Sequence, residues 1–268
     1  MYQNDIIISM MNTSSNVAII IPYHKSKLSV DAQYSIRHLQ TYLSEFPIFF
    51  VLPEGVRTPV DDFEVKYFSQ EHFTDESAYN KFLIKPDLYE AFLDFNYILI
   101  YQTDVIVFSN RLLEFCQMGY DYIGAPLIRD KVDPTTGDPA GFLGGGNGGF
   151  SLRKVSAFLQ VLNTSVCATG LDRDCLQRIF SHHYDDLIDD PIPLRLAKIA
   201  NIARKLRKGF SHYTENYRWH EDHFWGFRAP IFDPSFKVAP VPVALKFAFE
   251  RNPSYCLEQN GRELPFGA

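Results

Sequence analysis

The chain of 268 residues carries 26 Lys and Arg against 32 Asp and Glu, a formal charge of −6, which excludes a general nucleic-acid binder because neutralising phosphates takes a basic surface. Hydrophobic residues make up 46%, enough for one large core, yet no run approaches the roughly 20 apolar residues that span a bilayer. Cys116, Cys167, Cys175 and Cys256 show neither zinc nor redox spacing and read as reduced thiols.

Residues 1–16 hold an Asp where a signal peptide wants a basic residue, and a polar Asn-Thr-Ser-Ser-Asn where its apolar core would continue. They read as an N-terminal extension, with residues 17–268 as one domain in the cytoplasm or peripheral on the inner face of the membrane. Val17 to Tyr23 (VAIIIPY) is a continuous apolar run, the pattern of a parallel strand buried on both faces. Ser29 is a plausible helix cap, and Ile36, Leu39 and Leu43 recur at helical spacing before Pro47. Ile48 to Leu52 and Phe63 to Phe68 read as strands, and Ser77 to Asp94 as a helix that breaks near Pro86. Tyr97 to Tyr101 (YILIY) is again a buried strand. Strands alternating with helices imply an α/β chain with a mostly parallel sheet flanked by helices. Ligands of such sheets bind beyond the carboxyl ends of strands, so the residues after Tyr23 and Tyr101 gain weight as functional candidates. Tyr120 to Pro126 is a further strand, Ile128 to Ala140 a polar loop, and Phe150 to Arg153 a strand that leads into a helix.

Three stretches carry chemistry. In YILIYQTDVIVF, residues 97–108, an apolar strand delivers Gln102, Thr103 and Asp104 to its end. A carboxylate there is costly to bury unless a cation pairs with it, and one carboxylate plus substrate phosphates is a usual way to hold a divalent ion. The plainer alternative is an Asp that caps the following turn. In GFLGGGNGGFSLRK, residues 141–154, five glycines surround Asn147 within six residues and let the backbone approach a ligand closely. It is not a dinucleotide-binding GxGxxG, and it reads as an ordered turn lining a cleft or as a surface loop. In WHEDHFW, residues 219–225, Glu221 and Asp222 stand between aromatic residues, where desolvation makes a carboxylate a better general base. An exposed helical turn with an aromatic anchor is the alternative.

Two other features are weaker. His182, His183, Asp185, Asp186, Asp189 and Asp190 read as a solvated acidic loop in preference to a metal cluster. Residues 194–210 (LRLAKIANIARKLRKGF) put Ile199, Ile202, Leu206 and Phe210 on one helical stripe, with six basic residues between Arg195 and Lys208. This is either an amphipathic helix in the headgroup region of an anionic membrane or a core-facing helix with a solvated back. It falls in an expected helical insertion spanning about residues 181–212.

YILIYQTDVIVF, GYDYIGAP, GGGNGGFSLRK, EDHFW, KFAFERNP and LPFGA, in this order from about Leu52 onward, together resemble a bacterial domain family long labelled as of unknown function and classed as glycosyltransferase-like, of GT-A type. The resemblance implies a Rossmann-like GT-A fold and metal-dependent transfer of a hexose from a nucleoside-diphosphate sugar, UDP-linked, to a glycan or lipid-linked, lipopolysaccharide-like acceptor. Gln102, Thr103 and Asp104 stand where many GT-A enzymes have Asp-x-Asp, which leaves Asp104 as the one acidic ligand for Mn²⁺ or Mg²⁺. The loop of Gly146, Asn147 and Gly148 is implied to line the donor and acceptor cleft. Glu221 and Asp222 resemble the acidic pair of inverting enzymes, with Asp222 as the base. Pro22, Tyr23 and His24 are implied to meet the nucleotide base and ribose, and Lys81 and Lys85 to approach the phosphates. In the family the phrase matching Pro265 to Ala268 runs on into His and Trp, and a C-terminal His often completes a GT-A metal site; ending at Ala268 implies a trimmed chain or a weakened site. Retaining transfer on the same fold, nucleotide-sugar or glycan binding without catalysis, and a metal-dependent phosphoesterase are the rival readings.

Overall fold

A computed structural model of the chain describes residues 17–129, 132–164, 191–206 and 210–268. The extension 1–16, the acidic cluster from His182 to Asp190 and the start of the expected insertion lie outside the described residues.

The apolar runs become the centre of a six-stranded sheet. Strands β1 (Val17–Pro22), β2 (Ile48–Pro53), β3 (Glu64–Phe68), β4 (Tyr97–Tyr101), β5 (Tyr122–Gly124) and β8 (Phe150–Lys154) lie in the order β3-β2-β1-β4-β8-β5. Strands β1 to β4 are mutually parallel, and β8 alone runs against its neighbours β4 and β5. A small antiparallel pair, β6 (Leu127–Ile128) with β7 (Phe142–Gly144), closes the polar loop between them.

The period of two in the central strands feeds two cores, one on each face. Ala18, Ile20, Ile98 and Ile100 point to one side and pack with Phe82, Leu88, Tyr89, Phe158 and Trp225. Val17, Ile19, Ile21, Leu99 and Tyr101 point to the other, against Ile36, Leu39 and Leu43 of helix α1 (Val30–Leu43). Ser29 caps α1 by accepting the Ala32 N–H at 3.2 Å. The expected break near Pro86 splits the next helix into α2 (Glu76–Phe82) and α3 (Pro86–Glu90). The Leu83 carbonyl at this break accepts the Tyr89 hydroxyl at 2.7 Å and the Trp225 indole N–H at 3.1 Å. Helix α4 (Leu112–Gln117) follows β4, and α5 (Val155–Leu162) follows β8 directly.

Helix α6 (Ile192–Leu206) falls within the stretch expected as an insertion. The side chains of Ile199, Ile202 and Leu206 lie outside the described residues. Phe210, the last of the expected stripe, is buried edge-on against Phe232 at 4.8 Å. Ile192, Leu194 and Leu196 at the start of α6 are exposed. Among the described residues no helix is long and apolar enough to cross a membrane.

His72, just before α2, is buried and stacked on Phe82 at 4.5 Å. Burial first, and Lys85 second, hold its pKa below the ordinary 6.5. Its neutral form is therefore the stable one in the fold, and its contribution is complete above pH 6.5 and lost as pH falls through the lower folded value. Thermal unfolding followed against pH is expected to show a shallower loss of Tm below pH 6.5 in His72→Gln than in the wild type. Superimposable acid limbs would remove His72 from that account.

Candidate functional site

The chain leaves β1 toward β2 and leaves β4 on the other side of β1, so their carboxyl ends frame the crevice in which open α/β sheets bind ligands. A cavity of about 560 Å³ opens there, lined by Pro22, Tyr23, His24 and Lys25 after β1 and by Gln102, Thr103 and Asp104 after β4. Residues Phe73 to Glu76 and Tyr79 form its far wall. Asp104 is exposed inside it.

The turn that carries Asp104 is fixed from both sides. The buried Tyr101 hydroxyl lies 3.0 Å from the Ser35 carbonyl oxygen of α1 and 2.9 Å from that of Val105, and the Ser35 hydroxyl also donates to Val105 at 2.6 Å. Residues 106 to 108 pair with the segment 266 to 268, the Ile106 N–H donating to the Ala268 carbonyl at 2.7 Å. The LPFGA phrase thus abuts the Asp104 turn.

A second cavity, also about 560 Å³, shares Glu76, Tyr79 and Gln102 with the first. Its walls are Asn147, Gly148 and Gly149 of the glycine loop, His220 to His223, and Glu250 with Arg251. The glycine loop is ordered: Asn147 Oδ1 accepts the Gly149 N–H at 2.8 Å, and the Gly149 carbonyl accepts the Gln102 N–H at 3.0 Å. Close approach explains two of its glycines. A Cβ at Gly149 would stand 2.5 Å from Gln102 Oε1, and one at Gly148 would collide with Glu221 Oε1.

Glu221 and Asp222, adjacent in sequence, have different surroundings. Glu221 is 4% exposed and pairs at 2.7 Å with Arg153, itself fully buried on β8. Arg153 also donates to Tyr89 Oη at 2.9 Å, Ser151 Oγ at 2.9 Å and the Gly148 carbonyl at 3.2 Å. Burial pushes the Glu221 carboxyl up and Arg153 pulls it back; against the lowering effect of its own burial, Arg153 is held protonated by Glu221. A guanidinium cannot shed its proton to relieve the pair, so the charge of Arg153 is one that the Glu221 carboxylate has to compensate. Asp222 is half-buried on the wall of the second cavity, its Oδ1 accepting the His223 N–H at 2.6 Å. The preceding Glu221 N–H is tied to Asn80 Oδ1 at 2.8 Å.

Most of the residues expected from the sequence come together. Pro22, Tyr23, His24, Gln102, Thr103 and Asp104 line the first cavity; Asn147, Gly148, Glu221 and Asp222 line the second. Tyr23 is largely buried, its hydroxyl donating to the Lys27 carbonyl at 3.0 Å. Gly146 is buried behind the loop, its carbonyl accepting the Tyr122 hydroxyl at 2.7 Å. Lys81 and Lys85 line a separate surface depression beside His72. The cation on the wall of the first cavity is Lys25, which the sequence reading passed over although it directly follows His24 at the end of β1. Arg153 and Glu250 were also missed. Loss of solvent in the cleft first, and Asp222 second, push the Glu250 carboxyl up, with Arg251 opposing. Among the described residues no three His, Cys, Asp or Glu side chains gather closely enough to form a metal cage.

No curated protein matches the chain. A family model described as "Protein of unknown function (DUF5672)" matches residues 62–268, which takes in β4, the glycine loop and the Glu221–Asp222 segment, and the chain belongs to that family.

Proposed function

We propose that the protein is a GT-A-type glycosyltransferase that moves a hexose from a UDP-sugar to the hydroxyl of a glycan or lipid-linked glycan with inversion at the anomeric carbon. The observation that carries the reading is the continuity of the two cavities. Asp104 stands in the crevice at the ends of β1 and β4, and Asp222 stands in the adjoining space across Gln102 and Tyr79. A nucleoside diphosphate in the first cavity would direct its sugar toward the second.

The residues fit a divalent ion held jointly with a ligand. Asp104 offers one exposed carboxylate, and Mg²⁺ or Mn²⁺ at such sites takes one or two carboxylates with phosphate oxygens and water. When bound, the ion offsets the charge of the departing diphosphate. Lys25 adds a protein cation on the same wall. Asp222 accepts the proton of the acceptor hydroxyl as its oxygen bonds to the anomeric carbon and the bond from that carbon to the phosphate oxygen breaks. Glu221 is committed to Arg153 and holds the segment in place.

The exposed Ile192, Leu194 and Leu196 of α6, beside the basic residues that follow, support peripheral contact with anionic lipid and hence a lipid-linked acceptor. Calorimetric titration with UDP tests the donor site. Binding is expected to require Mn²⁺ or Mg²⁺ and to weaken by about tenfold or more in Asp104→Asn. Ion-independent binding, or an unchanged variant, would remove Asp104 from its role.

A further inference from the structure

Trp219 is 71% exposed, whereas the chain's other tryptophan, Trp225, is fully buried. An exposed indole beside a cleft offers a ligand a broad, flat apolar face with one N–H donor at its edge. Trp219 lines a third cavity of about 200 Å³ with Arg218 and Lys81, and this cavity shares Glu76, Asn80 and His220 with the one that holds Asp222. The three spaces therefore form one groove running from Asp104, past Asp222, to Trp219. The indole also lies against His223, ring centres 6.3 Å apart, next to Asp222.

From this groove we infer that the acceptor is an oligosaccharide of several residues, whose distal sugar stacks on Trp219 while its terminal hydroxyl reaches Asp222; the inference rests on the glycosyl-transfer reading. The chemistry of the walls selects a sugar chain. A pyranose presents an apolar C–H face to an aromatic ring and hydroxyls at its edges, and the groove alternates one aromatic face with hydrogen-bonding groups, Arg218 and Lys81 as donors and Glu76 and Asn80 Oδ1 as acceptors. The carboxylates Glu76, Asp222 and Glu250 along it disfavour a polyphosphate strand.

Because Trp225 is shielded from contact with ligand, a change in tryptophan emission on titration reports on Trp219. Defined oligosaccharides of one to six residues, built from gluco, galacto, manno and N-acetylamino sugars, are titrated into the full chain with emission as the readout. One series is expected to shift the emission with an affinity that rises with length up to about three residues. Trp219→Ala is expected to bind the longer members of that series about tenfold more weakly by calorimetry and to bind the monosaccharide as the wild type does; Trp219→Phe is expected to restore most of the difference. No series binding, affinity independent of length, or Trp219→Ala binding like the wild type overturns the proposal. Absence of UDP-sugar binding and hydrolysis in the wild type, with length-dependent glycan binding intact, would instead overturn the transfer reading and leave the groove as a glycan-binding site.

Discussion

Glu221→Gln is expected to destabilise the fold by about 3–5 kcal/mol, the usual consequence of removing one partner from a buried ion pair. Arg153 has no exposed surface and lies 2.7 Å from the carboxylate. Its remaining partners, the Tyr89 and Ser151 oxygens and the Gly148 carbonyl, are neutral, so the amide would leave a full charge uncompensated inside the protein. Arg153 cannot respond by losing its proton. The double variant Arg153→Met with Glu221→Leu is expected to recover most of that loss. Tyr89 keeps the Leu83 carbonyl and Ser151 keeps the Gly148 carbonyl as acceptors, so few polar groups are stranded when both charges go. Urea unfolding of the wild type, the single variant and the double variant measures all three. A single variant within about 1 kcal/mol of the wild type would show that the pair contributes little to stability.

How far this site could be read from the sequence depends on which physical signal each part left there. The central strands were legible because a parallel strand buried on both faces needs an unbroken apolar run, and VAIIIP and YILIY are such runs. Position at the carboxyl ends of those strands already pointed to Tyr23, His24 and the Gln102 to Asp104 turn as lining the ligand crevice. The break at Pro86 was legible because proline lacks the N–H a continuing helix needs. The different surroundings of Glu221 and Asp222 were not. Both look alike beside aromatic residues, and what separates them is Arg153, 68 positions away, which the antiparallel strand β8 delivers beneath Gly148. A charged residue in FSLRK reads as strand exit or exposed face; only the sheet order shows it pointing into the core. The direction in which Lys81 faces was hidden for a related reason: its place on a helix near the crevice was legible, but α2 turns that face toward His72 and Trp219. The closeness of residues 266 to 268 to the Asp104 turn is likewise a long-range pairing with no local signature.

Asp222→Asn is expected to lower kcat for transfer by about 10²- to 10⁴-fold, the range for loss of a positioned general base, with UDP affinity unchanged. The two effects separate because Asp222 lines the second cavity and not the one where Asp104 stands. Asparagine preserves the local structure: its Oδ1 can still accept the His223 N–H, which Asp222 now takes at 2.6 Å, and the backbone stays tied through Glu221 to Asn80. What the variant loses is the ability to take a proton. A fall in kcat at constant KM for the donor identifies an interaction made in the transition state, and it contrasts with Asp104→Asn, which is expected to weaken UDP binding itself. On the proposed reading, with the diphosphate in the first cavity and Asp222 on the wall of the second, the acceptor oxygen would approach from the side away from the leaving group. Proton NMR of the first product formed is therefore expected to show an anomeric configuration opposite to that of the donor. Retention of configuration, or an Asp222→Asn enzyme as fast as the wild type, would take the base away from Asp222 and leave it as a binding group for the acceptor.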